Sequence, residues 1–175
     1  MTLNQELKEA LTGLRLENAP TVERQEKSQF STINSVWRVR TIAERLYGTD
    51  RISQDVFNAC QKWAQTYVIA YDGPGAIQNA ASTSTIRHDK ISFIMDQALR
   101  ADSIPAIKSA IGHGTNNLLV LTLYECYSAG YIADMLNLSG SKRSVEKAID
   151  KECISAYERL NNVYLSLFRK KTLAD

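Results

Sequence analysis

The segment YSAGYIADMLNLSGSKRSVEKAIDKECISAYERL, Tyr127–Leu160, decides how the chain folds. A compact apolar run from Ile132 to Leu138 breaks into small polar residues and resumes as a long charged pattern of helical period. Two helices joined by a turn produce such a pattern. Ile132, Leu136 and Leu138 are expected on the core side of the first helix and the turn. Ala133 is small enough to let the two helices cross closely, and Asn137 sits where the backbone must tolerate a left-handed conformation. Val145, Ile149, Cys153, Ala156 and Leu160 recur at helical spacing as the inward stripe of the second helix.

The first turns of that second helix offer Ser141, Lys142, Arg143, Ser144, Lys147 and Lys151, side chains suited to phosphates and base edges. A recognition helix touches bases with its N-terminal turns. The expected site therefore has backbone amides and Ser139 or Ser141 positioning phosphates. Lys142, Arg143, Ser144 and Lys147 reach the major groove, and Lys151 touches the backbone. Glu146, Asp150 and Glu152 lie in the same helix and are expected to dilute its basic face. The plain alternative is a pair of packing helices with a solvated charged face.

The spacing of Ile132-Ala133, Leu136, Ser139, Val145, Ile149 and Leu160 resembles the C-terminal DNA-binding region shared by sigma factor region four and related regulators. The turn is about two residues longer than in the standard motif. More broadly, RLYGTDRISQDVFNACQKWAQTYVIAYDGPG, Arg45–Gly75, followed by a late helix pair, is similar to a helical domain of unknown function in alphaproteobacterial and prophage-derived proteins. That family includes C-terminal parts of gene-transfer-agent transcription activators. The resemblance covers about residues 33 to 165, on short motifs made mostly of packing residues. It implies a transcription regulator of phage or gene-transfer-agent type and makes RNA polymerase a candidate second partner.

Outward from this segment the period stays helical, and an all-α fold is expected. An N-terminal helical hairpin would pack on the C-terminal helix-turn-helix with its long last helix. Residues 1–32 are polar, with Leu7, Leu11 and Leu14 marking a short helix before a linker or frayed arm. Residues 33–114 form a helical domain and 115–175 the DNA-binding region. A helix is expected from Ile33, with Val36, Val39, Ala43 and Leu46 on one face and Gly48 ending it. Ser53 caps the next helix, Ile52 and Phe57 staple it, and Val56, Cys60, Trp63 and Tyr67 continue its stripe. A loop follows through YDGPGAIQNAASTST, then a helix with Ile91, Ile94, Met95 and Leu99 inward. A short helix capped by Ser103 and stopped by Gly112 leads to an apolar, central helix over 116–128.

The net charge of +2 neither demands nor excludes a polyanionic partner. Three scattered cysteines, Cys60, Cys126 and Cys153, have no metal-ligand spacing and read as buried thiols in a reducing cytoplasm. The N-terminus lacks the apolar run of a signal peptide, and no segment is long enough to cross a bilayer, so a cytoplasmic protein without membrane contact is expected. His88 in RHDK and His113 in GHG, the latter read as a helix-terminating loop, have no ligand-spaced partners. DGPG is a turn rather than a phosphate loop, and no serine sits in a nucleophile elbow. No enzyme activity, cofactor or metal is expected.

Arg38, Arg40, Arg45 and Arg51 read as a solvated basic face. Leu160, Tyr164 and Leu167 extend the last stripe past what a DNA reader needs. That extension either packs within the chain, the preferred reading, or pairs two copies in a homodimer. The expected function is sequence-specific binding of double-stranded DNA in transcription control. The alternative is a protein-interaction module, docking on RNA polymerase or another protein through Trp37, Trp63 and the tyrosines. A phage packaging component is a third possibility.

Overall fold

Thr41 opens the helix Ile42–Tyr47 with a reciprocal cap. Its Oγ1 accepts from the Glu44 N–H at 3.2 Å, and a Glu44 carboxylate oxygen accepts from the Thr41 N–H at 3.1 Å. The helix expected from Ile33 therefore starts later, and Val36–Arg40 is a strand. The reason is local. Val36, Trp37 and Val39 are β-formers, and Trp37 and Val39 alternate with Arg38 and Arg40 at the strand period, Val39 buried and Trp37 half-buried. The computed structural model describes residues 15–16, 20–33, 36–72 and 102–172. The expected helices at Leu7–Leu14 and Ile91–Leu99, the loop between Gly73 and Thr85, and His88 lie outside the described residues.

The described chain is largely helical with one small antiparallel sheet, so the all-α expectation is corrected at the N-terminal arm. The order is β1 (Arg15–Leu16), α1 (Val22–Lys27), β2 (Gln29–Ile33), β3 (Val36–Arg40), α2 (Ile42–Tyr47), α3 (Gln54–Asp72), α4 (102–111), α5 (His113–Leu119), a π-helical turn (Val120–Tyr124), α6 (Ala129–Met135) and α7 (Lys142–Thr172). The sheet order is β1-β3-β2, with Gln29 opposite Arg40 and Thr32 opposite Trp37. The arm expected to fray is thus paired from Gln29 onward, and the Lys27 carbonyl accepts from the Ser128 N–H at 2.8 Å, tying it to the start of α6.

Gly48 ends α2 in right-handed geometry, and Asp50 takes the left-handed residue at φ +54°. The Arg51 N–H reaches the Leu46 carbonyl and the Asp50 N–H that of Tyr47, which is a Schellman closure. Ser53 caps α3 as expected, accepting from the Val56 N–H at 3.3 Å, and Ile52 and Phe57 are both buried. The stripe Val56, Cys60, Trp63 is buried, with Tyr67 stacked on Trp63.

The helix over 102–111 begins one residue before Ser103, which lies inside it rather than capping it. Ile104, Ile107 and Ile111 form its buried face. Gly112 stops it at φ +87°, and His113 then starts α5 instead of lying in a terminating loop. The segment expected to be central is so: Leu119, Thr122 and Leu123 are buried, and the π-helical turn packs on α3 and α2. Cys126 follows it at φ +56°, half-buried and outside any helix, unlike the helical position expected for it.

One cluster of buried residues runs from Ile42 to Tyr164. In it α7 packs on α3, α6, α5 and α2. No helix among the described residues is long and apolar enough to cross a membrane.

Candidate nucleic-acid interface

Ser128 starts α6, its Oγ accepting from the Tyr131 N–H at 3.2 Å. Ala129, Ile132 and Ala133 are buried where α6 packs on α7, which puts Ala133 at the close contact expected of it. The helix then closes on Asn137 at φ +51°, the left-handed position read from the sequence. The Leu138 N–H meets the Ala133 carbonyl at 3.0 Å and the Asn137 N–H meets that of Asp134 at 3.0 Å. This second Schellman closure turns Leu136 and Leu138 outward, at 53% and 45% exposure, so they do not supply the core side of the turn. Met135 beside them is 44% exposed. The main-chain closure, rather than leucine burial, sets the turn.

Gly140, at φ +143°, brings the chain against α7, where an added Cβ would meet Val145 Cγ2 at 3.2 Å. Ser141 is the cap: its Oγ faces the Ser144 N–H at 3.4 Å and its carbonyl accepts from Val145 at 3.0 Å. The inward stripe is as expected, with Val145, Ile149, Cys153, Ala156 and Leu160 all buried. Burial, then the nearby Asp150 carboxylate, pushes the Cys153 thiol up to about 12. Tyr164 is buried as well, whereas Leu167 is exposed, so the core reaches one turn short of the stripe's end.

The carboxylates of α7 do not lie where the sequence placed them. Asp150 points inward, its side chain 5% exposed. Both oxygens are taken by the Arg45 guanidinium in a fork, one contact at 2.9 Å, and Arg51 Nη1 adds a third bond at 2.9 Å. The hydrogen bond to Asp150 raises the pKa of Arg45. Glu146 turns toward α6, its Oε1 3.4 Å from where a Gly130 Cβ would stand. Glu152 is exposed, five residues on from Lys147 and off the line Arg143–Lys147–Lys151. The expected dilution of the basic face is therefore corrected for Asp150, while Glu146 stays half-exposed beside Lys142 and Glu152 exposed.

The same clamp corrects the arginine cluster. Arg45 and Arg51 hold Asp150, and Arg38 bonds Glu44 at 3.0 Å and Ser31 at 3.2 Å, so these three are structural links rather than a solvated face. Nothing in the sequence reveals this, because the partners of Asp150 lie 105 and 99 residues away.

Arg143, Lys147 and Lys151 stand at i, i+4 and i+8 on the outer face of α7, with Ser144 beside them, all exposed. Lys142 is exposed at the start of the helix on the α6 side, and Ser139 is exposed in the turn. Six of the seven residues named from sequence thus cluster over the first turns of α7 and its cap, while Ser139 stays on the turn. Beside Lys142 a cleft of about 520 Å³ opens between α1, β2 and the α6–α7 pair, bordered by Glu26, Asp134 and Glu146. Among the described residues no group of three or more His, Cys, Asp or Glu is placed to hold a metal. Compared with protein-family models, with curated proteins and with solved structures, the chain gives no match.

Proposed function

We propose that this protein binds double-stranded DNA sequence-specifically, as a transcription regulator of phage or gene-transfer-agent type, with α6 and α7 acting as a helix-turn-helix. One observation carries this. For its first three turns the outer face of α7 bears Arg143, Ser144, Lys147 and Lys151, all exposed, and one carboxylate of that stretch, Asp150, is drawn inward by Arg45 and Arg51. A surface meeting phosphates gains from that withdrawal, because each carboxylate there costs Coulomb energy.

In this reading the start of α7 enters the major groove. Arg143 and Lys147 reach base edges, Ser144 adds a short polar contact, and Lys142 and Lys151 lie on the phosphates to either side. Ser141 has committed its oxygens to the helix cap, so it acts through the amides it orders rather than as a direct ligand. Two lysine–phosphate contacts give a slope of about −2 in log affinity against log salt.

The test is binding of the pure protein to a pool of genomic DNA fragments at two salt concentrations, with sequencing of the bound fraction. One enriched motif, lost in an Arg143→Ala, Lys147→Ala variant, is the expected outcome. Arg143→Ala alone weakens specific binding by about 1–3 kcal/mol where the arginine grips a guanine. Weak binding that vanishes with salt equally in both proteins would sink the proposal.

The second reading, docking on RNA polymerase, another protein or a second copy, draws on Leu165 and Leu167, exposed near the end of α7. It loses one of its expected anchors, since Trp63 is fully buried. An apolar contact of that kind keeps its affinity as salt rises.

A further inference from the structure

Asp150 has more cation around it than its own charge requires. Both oxygens of the carboxylate are met by the Arg45 guanidinium, one contact at 2.9 Å, and that fork alone answers the charge. Arg51 brings a second guanidinium, at 2.9 Å. The two arginines differ in what they show to solvent. The Arg51 side chain is 41% exposed and that of Arg45 25%, against 5% for Asp150. Among the described residues, Nη1 is the one side-chain donor that Arg51 commits to the fold, which leaves Nε and Nη2 for another acceptor. Asp50 and Asp55 are exposed nearby in the chain, and among the described residues neither is ion-paired to Arg51.

Helix geometry places this surplus charge. Arg143, Lys147 and Asp150 stand at i, i+4 and i+7 of α7, which is one face. Asp150 is the buried member of that line, so solvent there meets the Arg51 guanidinium in place of the carboxylate. The cationic line thus runs Arg143, Lys147, Arg51, with Lys151 beside it. Glu146 lies half-exposed toward the cleft that Lys142 borders, and Glu152, two residues from Asp150, falls on the other side of the helix.

Arg51 is also fixed in advance. Its N–H bonds the Leu46 carbonyl at 2.9 Å in the closure of α2, and Asp150 holds its tip. A donor held at both ends loses little freedom on binding. The same anchoring keeps it from extending to a base edge. The acceptor that can come to it is a phosphate oxygen at the rim of the groove entered by α7.

We infer that Arg51 is a third phosphate contact, reaching from the α2–α3 turn to the DNA held by α7. This rests on the DNA-binding function proposed above and deepens it. Asp150 then has a part besides stability, because it sets a guanidinium at the edge of the basic face. The lysine contacts alone give a salt slope of about −2, and Arg51 brings that of the parent chain to about −3.

The test measures binding of the genomic fragment pool over a range of salt, with sequencing of the bound fraction, for the parent chain, Arg51→Gln and Arg51→Lys. Glutamine removes the charge and leaves Asp150 in the Arg45 fork, so the fold is retained, checked by circular dichroism. The expected result is a slope shallower by about one in Arg51→Gln, with the same motif enriched. Arg51→Lys keeps the parent slope. A link serving only the fold would lower the melting temperature of Arg51→Gln and leave its slope alone. Equal slopes therefore overturn the contact, and with the motif still lost in Arg143→Ala, Lys147→Ala they leave DNA binding standing. No motif enriched by the parent chain overturns both. A second measurement needs no variant. Phenylglyoxal modifies accessible guanidinium groups, and mass spectrometry reads each arginine separately. Bound fragments should shield Arg51 and Arg143 but not Arg159, exposed on a later turn of α7. Shielding of Arg143 without Arg51 overturns the contact.

Discussion

Asp50 and Asn137 each end a helix in the left-handed region, at φ +54° and +51°, where glycine is the usual occupant. A side chain with Cβ costs about 1–2 kcal/mol there, and the short polar groups of Asp and Asn lessen that cost. Asn137→Ala is therefore expected to lower stability by about 1 kcal/mol, while Asn137→Gly leaves it unchanged or raised. Urea unfolding of the pair checks this, and a loss in the glycine variant equal to that in alanine would refute it. Asp150 is a different kind of residue, a buried carboxylate between two guanidiniums. Removing it leaves Arg45 half-buried without its partner, and Asp150→Ala should cost about 3 kcal/mol in thermal unfolding. The double change Arg45→Met, Asp150→Leu should recover most of that, because the cost lies in the orphaned charge.

Four of the described helices start on a hydroxyl cap, and the difference between two of them is informative. At α2 the cap is complete, with Thr41 and Glu44 serving each other's N–H groups. At α7 the corresponding position after Ser141 is Ser144, so the reciprocal carboxylate is missing. Ser144→Glu would complete the box and is expected to raise stability by about 0.5–1 kcal/mol. The same change puts an acid on the basic face, so it should weaken DNA binding at low salt. Melting and binding measured on one variant therefore move in opposite directions, and a variant that binds DNA as well as the parent would contradict the placement of Ser144. The long helices α3 and α7 were legible from sequence because their apolar stripes repeat over many turns. The β2–β3 pair was not, since Val36, Val39, Ala43 and Leu46 satisfy a helical spacing while Trp37 and Val39 also satisfy a strand one. The separating signal was Thr41-x-x-Glu44, a capping box that forbids a helix running through it. Of the candidate site, the basic residues were legible, but the direction taken by Asp150 was not, because only the tertiary fold brings Arg45 and Arg51 to it.

At the scale of the whole molecule, a single core binds both halves of the described chain, and it buries groups that ionise only in alkali. Burial pushes the Cys126 and Cys153 thiols up to about 12 and lifts Cys60 and Tyr157 well above their ordinary values. Raised values mean that the folded state keeps protons which the unfolded chain releases above about pH 9, the ordinary thiol value. The stabilisation is whole below that pH and is lost as pH rises toward 12, by about 1.4 kcal/mol per pH unit for each such group. Unfolding midpoints should be flat from pH 7 to about 8.5 and fall steeply beyond, and a flat profile to about pH 11 would show that these groups are open to water. The Asp150 clamp has a further consequence, in the order of synthesis. Arg45 and Arg51 precede their partner by 105 and 99 residues. At roughly 5–20 residues per second a ribosome needs about 5–20 s to cover that distance. The two arginines wait that long with no carboxylate to hold, and the helix proposed to meet DNA takes its orientation only when α2 and α3 are already there to receive it.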